Sequence, residues 1–183
     1  MTNKNITVIS MFAGLVVVLQ LIATFINFGS FPITLTLVPI IVAGAMFGVP
    51  AGALMGTVFG IVVALMVITG ADPTGAAMLA MHPIITVLGC VLKGTFAGAA
   101  SAAIYKALKS KNQKLAIVLA AAIAPVVNTG TLAIVIILFF GGAFATFITL
   151  FITVNFLIEL VIDMLLAPGL LGIINKYSKS DRS

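Results

Sequence analysis

The sequence predicts an all-α integral membrane protein, a compact bundle of six transmembrane helices with both termini in the cytoplasm. Three observations predict it. Hydrophobic residues make up 62% and charged residues 7% of the 183, and mean hydropathy is +1.35; a soluble domain carries about 45–50% apolar and about 25% charged residues. Charges, glycines and prolines cut the chain into apolar runs at 6–27, 33–48, 50–69, 83–107, 114–140 and 145–174, most of them near the roughly 20 residues that cross a hydrocarbon layer. Basic residues gather in two places, Lys106, Lys109, Lys111 and Lys114 between the fourth and fifth runs and Lys176, Lys179 and Arg182 in the tail. That gathering sets topology and argues against a nucleic-acid surface, because cytoplasmic loops of membrane proteins concentrate Lys and Arg.

The first run follows Met1 to Asn5 and lacks a small-x-small cleavage site after a short apolar core, so it reads as a retained first span. The second and third runs need a break between them. As one helix, Pro32 to Thr69 would extend roughly 57 Å at about 1.5 Å per residue, nearly twice the hydrocarbon thickness. Gly48-Val49-Pro50 supplies that break. Between the third and fourth spans, Thr69-Gly70-Ala71-Asp72-Pro73-Thr74-Gly75 has turn chemistry. An even number of spans must precede the basic loop if Lys4, that loop and the tail share one side. Four before and two after satisfies this and puts 27–31, 69–82 and 140–144 outside. The whole chain is then one membrane domain, with no segment left over for a soluble catalytic or nucleotide-binding domain.

Gly44, Gly48, Gly52, Gly56 and Gly60 recur every four residues, with Gly94, Gly98 and Ala102 on the fourth span and Ser10 and Gly14 on the first. Spacing of four places small residues on one stripe where a neighbouring backbone approaches closely, which drives association in lipid. Packing inside the bundle is the plainer use of the glycines. An edge helix has surface to offer, so the first-span pair suits a partner, and the glycine-rich first three spans are expected to face that partner.

Ionisable groups within a bilayer need a counter-charge or a wet cavity. Lys93 lies about ten residues inside the fourth span, and Asn155, Glu159 and Asp163 follow one another at a spacing of four on the sixth. Lys93 and Glu159 either pair with each other or line a cavity for a polar solute. Asp163 falls nearer the inner end, where the interface would hold it. Asn128 and Thr129 follow Pro125, which removes a backbone hydrogen bond and leaves the amide beside a helix irregularity. His82 opens the fourth span and has no second ligand at metal spacing. Thr34, Thr36 and Gln20 read as helix-to-helix bonds before ligand contacts. The lone Cys90 excludes a disulfide within the chain. No GxxxxGK[ST], HExxH or GxSxG signature occurs. Binding without chemistry is expected, with neither metal nor cofactor.

Phe31-Pro32-Ile33-Thr34-Leu35-Thr36 leading to Gly44 and Gly48, AGALMGTVFG at 51–60, AAIYKAL at 102–108, PVVNTG at 125–130, and a sixth span with Asn155 and Glu159 together form one pattern. By that pattern the sequence bears a resemblance to the membrane-embedded substrate-binding S components of energy-coupling factor (ECF) vitamin transporters. It implies a multi-pass protein of the bacterial plasma membrane that binds a vitamin-like small molecule. It also implies work with a transmembrane coupling subunit and two ATPase subunits, in which ATP hydrolysis resides. On this basis Ser10, Ala13 and Gly14 dock the coupling subunit, and the outer loops at 27–34 and 69–82 close over solute held by Lys93, Asn128, Thr129, Asn155, Glu159, Thr34 and His82. VNTG and the late acid are most like the pantothenate-type members, with riboflavin or pyridoxine as alternatives. A stand-alone proton-coupled carrier and a non-transporting assembly protein are the rival classes. A carrier usually needs two repeats, and no internal duplication is found.

Overall fold

A computed structural model describes the backbone of residues 3–25, 27–28, 31–32 and 35–180, and the side chains of 5–23, 35–142 and 156–177. Helix α1, Asn3–Phe25, leads into a two-residue antiparallel pair, β1 (Asn27–Phe28) with β2 (Phe31–Pro32). Then come α2 (Leu37–Phe47), α3 (Val49–Ile68), α4 (Pro73–Met81), α5 (Pro83–Leu108), α6 (Gln113–Phe139) and α7 (Gly142–Ser180). Five helices, α1, α3, α5, α6 and α7, are long and apolar enough to cross a membrane.

The second expected span is shorter than the run at 33–48 suggested. Helix α2 has 11 residues, a length of about 16 Å against the roughly 30 Å of a hydrocarbon core. Its end is where the Gly48-Val49-Pro50 reading put it: Gly48 takes φ +89°, a left-handed value that glycine adopts at no steric cost, and Pro50 stands in the first turn of α3. The segment expected as a turn between the third and fourth spans holds a helix of its own. Gly70 (φ +77°) terminates α3, and the Asp72 carboxylate accepts a hydrogen bond of 3.0 Å from the Gly75 amide to cap α4. Helix α7 outruns its expected 145–174 and reaches Ser180, 39 residues in all.

Helix α3 packs chiefly on α5, α5 on α6, and α6 on α7. The glycine stripe explains the first of these contacts. A Cβ placed on Gly56 would strike the Gly94 carbonyl, one on Gly52 the Gly98 carbonyl, and one on Gly60 would lie 2.5 Å from the Cys90 carbonyl oxygen. Gly94 and Gly98 present the reciprocal fit to Gly56 and Gly52. Across the break, Gly44 also meets α5, where a Cβ would sit 2.8 Å from that of Ala102. The two short stripes of α2 and α3 therefore share one antiparallel ladder on α5, bridged by the hydroxyls of Thr57 and Thr95 at 2.8 Å. The glycines of α2 and α3 are thus used inside the bundle, the plainer of the two uses expected for them. Gly14 differs, with open space where its Cβ would be.

Polar side chains fasten the bundle at two levels. At the end that carries Lys106 to Lys114, Gln113 donates to the Tyr105 hydroxyl (3.1 Å) and to Asn175 (2.8 Å), and the Tyr177 hydroxyl donates to Asn5 (3.0 Å). Phe47 packs edge-on against Tyr177 there, with ring centroids 5.5 Å apart. Nearer the opposite end, the buried Thr36 hydroxyl donates to Gln20 (3.0 Å), whose amide lies 3.8 Å from Met66 Sδ. Gln20 and Thr36 are thus helix-to-helix bonds, as their positions suggested. Over that opposite end, α4 lays Met78 against Ile136 and Phe140 in a small apolar cluster of its own.

Candidate functional site

On each of α5, α6 and α7 a buried stripe runs up from the basic end, and the polar residues of interest continue those stripes. On α6 the stripe is Ala116, Ile117, Ala120, Ala121, Ala124, Pro125 and Asn128. On α7, Ala167, Leu170, Leu171 and Ile174 join the main core, and Glu159 and Asp163 extend the same face by two turns at 4% and 0% exposure. Small residues on α6 let the backbones approach.

The Tyr105–Gln113–Asn175 hydrogen bonds give the three helices a common origin. Lys93, Pro125 and Asp163 each stand twelve residues from that layer, with Asn128 three and Glu159 four residues further. At about 1.5 Å per residue the level lies about 18 Å into the bundle, near the middle of a hydrocarbon core. Lys93, Asn128, Glu159 and Asp163 therefore fall within about 6 Å of one another in depth on the successive helices α5, α6 and α7.

Their environments differ. Asn128 is buried with no hydrogen-bond partner for its Oδ1, and Asp163 has none for either carboxylate oxygen; Ser101 Oγ on α5 is the other such atom among the described residues. Buried polar atoms are almost always bonded to protein or water, so the orphans on Asn128 and Asp163 mark a place where something else supplies the bond, whereas Ser101 stands only four residues from the Tyr105 layer. Lys93 is half-buried, its ammonium 5.7 Å from the centroid of the Phe59 ring on α3, a cation–π contact. Glu159 is buried on α7, which packs mainly on α6 and α2.

Thr129 is half-buried beside Asn128. His82 is exposed, between α4 and α5, its ring edge-on to Phe140 at 5.2 Å; it lies at the end opposite the basic loop, away from the deep level. Thr34 and the Asn155 side chain lie outside the described residues. The interfacial reading of Asp163 is corrected: it is fully buried, because α7 continues well beyond it. Sequence reasoning passed over Ser101, whose only signal was its place between Ala97, Gly98 and Ala102 on the buried stripe of α5. No group of three or more potential metal ligands occurs among the described residues.

The fold defines a multi-pass membrane protein whose polar groups are gathered inside the helix bundle. A family model described as the ECF transporter substrate-specific component matches residues 4–171, nearly the whole chain, and the chain belongs to that family. No curated protein matches it significantly. Membership makes the chain a substrate-specific subunit of an ECF transporter, one that takes a small-molecule substrate and associates with the transmembrane and ATPase components.

Proposed function

We propose that this subunit captures a small water-soluble vitamin or vitamin precursor from outside a bacterial cell and carries out no chemistry on it. The observation that supports this most is the buried polar level on α5, α6 and α7, with Lys93, Asn128, Glu159 and Asp163 close in depth. Thr129 and Asn155 would extend it, and the β1–β2 hairpin with Thr34, and α4 with His82, would close over the solute. The resemblance to pantothenate-type members puts pantothenate first among candidates, with riboflavin and pyridoxine next. Both termini and the basic loop lie in the cytoplasm on this reading, since Lys106, Lys109, Lys111, Lys114 and Lys176 share one end.

Ser10, Ala13 and Gly14 on α1 would dock the coupling subunit. Ser10 and Gly14 are exposed, and Gly14 is open where the glycines of α3 are filled. Affinity-tagged chain expressed with its coupling and ATPase subunits is expected to bring them down as one complex. Gly14→Leu should reduce that complex and vitamin uptake by about tenfold, since a large side chain holds two helices apart, while leaving vitamin retention by the isolated chain unchanged. Uptake by the chain alone that collapses with the proton gradient would replace this reading with the stand-alone carrier.

A further inference from the structure

The orphaned atoms at the deep level share one chemical character. Asn128 Oδ1 and both oxygens of Asp163 are acceptors, none has a partner, and all lie on the core-facing stripes of α6 and α7, which pack together. Asp163 is 0% and Asn128 8% exposed, so bulk water does not satisfy them. One turn from Asp163 stands Glu159, a second buried acid. The cation at this depth, Lys93 on α5, is engaged with the buried Phe59 ring of α3, its ammonium 5.7 Å from the ring centroid. Among the described residues, the atoms left without a partner at this level are therefore acceptors, one of them a carboxylate. A carboxylate in low dielectric is stable only when a cation or several donors face it.

We infer that Asp163 and Asn128 receive the positively charged, hydrogen-bond-donating end of the solute, so that the substrate class is an organic cation such as an ammonium or a protonated or quaternised nitrogen heterocycle. This rests on the reading of the chain as a solute-capturing subunit, and within that reading it moves the preferred solute away from a carboxylate such as pantothenate. The amide oxygen would accept from the N–H or O–H groups next to the charge while the carboxylate balances it.

Purified full-length chain in lipid nanodiscs, tested by equilibrium dialysis, separates the possibilities. Thiamine and pyridoxamine are the cationic probes and pantothenate the anionic one, each in sodium chloride, potassium chloride and salt-free sucrose. At least one cationic probe is expected to bind about tenfold or more tightly than pantothenate in all three media. Asp163→Asn, which keeps the shape and removes the charge, should weaken that binding about tenfold or more. Its thermal unfolding midpoint serves as the folding control, and Asp163→Glu should restore part of the binding. Tighter binding of pantothenate, no binding of either cation, or undiminished binding by a folded Asp163→Asn protein overturns the inference. Binding that needs sodium or potassium also overturns it, since the charge would then come from an inorganic ion. Because complex formation with the coupling and ATPase subunits is scored separately, an intact complex with a failed charge preference rejects this inference and leaves the capture reading standing.

Discussion

Gly56→Ala is expected to destabilise the protein by about 3 kcal/mol, toward the upper end for overpacking a tight interior. The added methyl would occupy the position of the Gly94 carbonyl. A flexible side chain could turn aside from it, but here the obstacle is backbone, and Gly94 is itself closed on the Gly56 carbonyl. Helices α3 and α5 would have to separate along the whole ladder, loosening the Thr57–Thr95 contact and the dispersion contacts that close approach provides. The same substitution at Gly14, with open space around it, should cost nothing and gain slightly from helix propensity. Thermal unfolding of the two variants side by side in one detergent checks this. A Gly56→Ala protein as stable as its parent would mean that α3 and α5 do not meet backbone to backbone.

Asn128→Ala should have the opposite profile, leaving the fold in place and removing binding. Its Oδ1 has no partner in the bundle, so truncation deletes a buried acceptor that nothing satisfies and is neutral or slightly favourable for stability. Solute that uses this amide loses a hydrogen bond in a dry site, and affinity is expected to fall about tenfold to hundredfold. Titration of whichever vitamin the parent retains, with unfolding midpoints measured alongside, gives both numbers. Loss of stability in step with loss of binding would make Asn128 a packing residue.

The contrast between these positions shows what could be read along the chain and what could not. Composition, the basic loop and Gly48-Val49-Pro50 carry the helical membrane architecture, because solvent preference and helix breaks are local properties. A stripe of small residues says that something approaches closely but not what: the stripe of α3 meets the backbone of α5, whereas Gly14 on α1 has open space at its Cβ position. Helix α4 escaped notice because nine residues between turn signals are too few for a helical period to stand out. Asp163 reads as interfacial from its place nearer the inner end of its span, but its stripe with Glu159 and Ala167 takes it into the core. Asn128 and Glu159 were legible as polar residues inside spans, but their similar depth to Lys93 needed the Tyr105–Gln113–Asn175 register, which links residues far apart in sequence.

Native mass spectrometry of the full-length protein, released gently from nanodiscs after expression in rich medium, tests the central claim most directly. The account predicts a single small organic molecule retained at one per chain by the parent and lost from Asn128→Ala, with both proteins folded. A parent protein carrying no small molecule, even after incubation with a mixture of water-soluble vitamins, would contradict it.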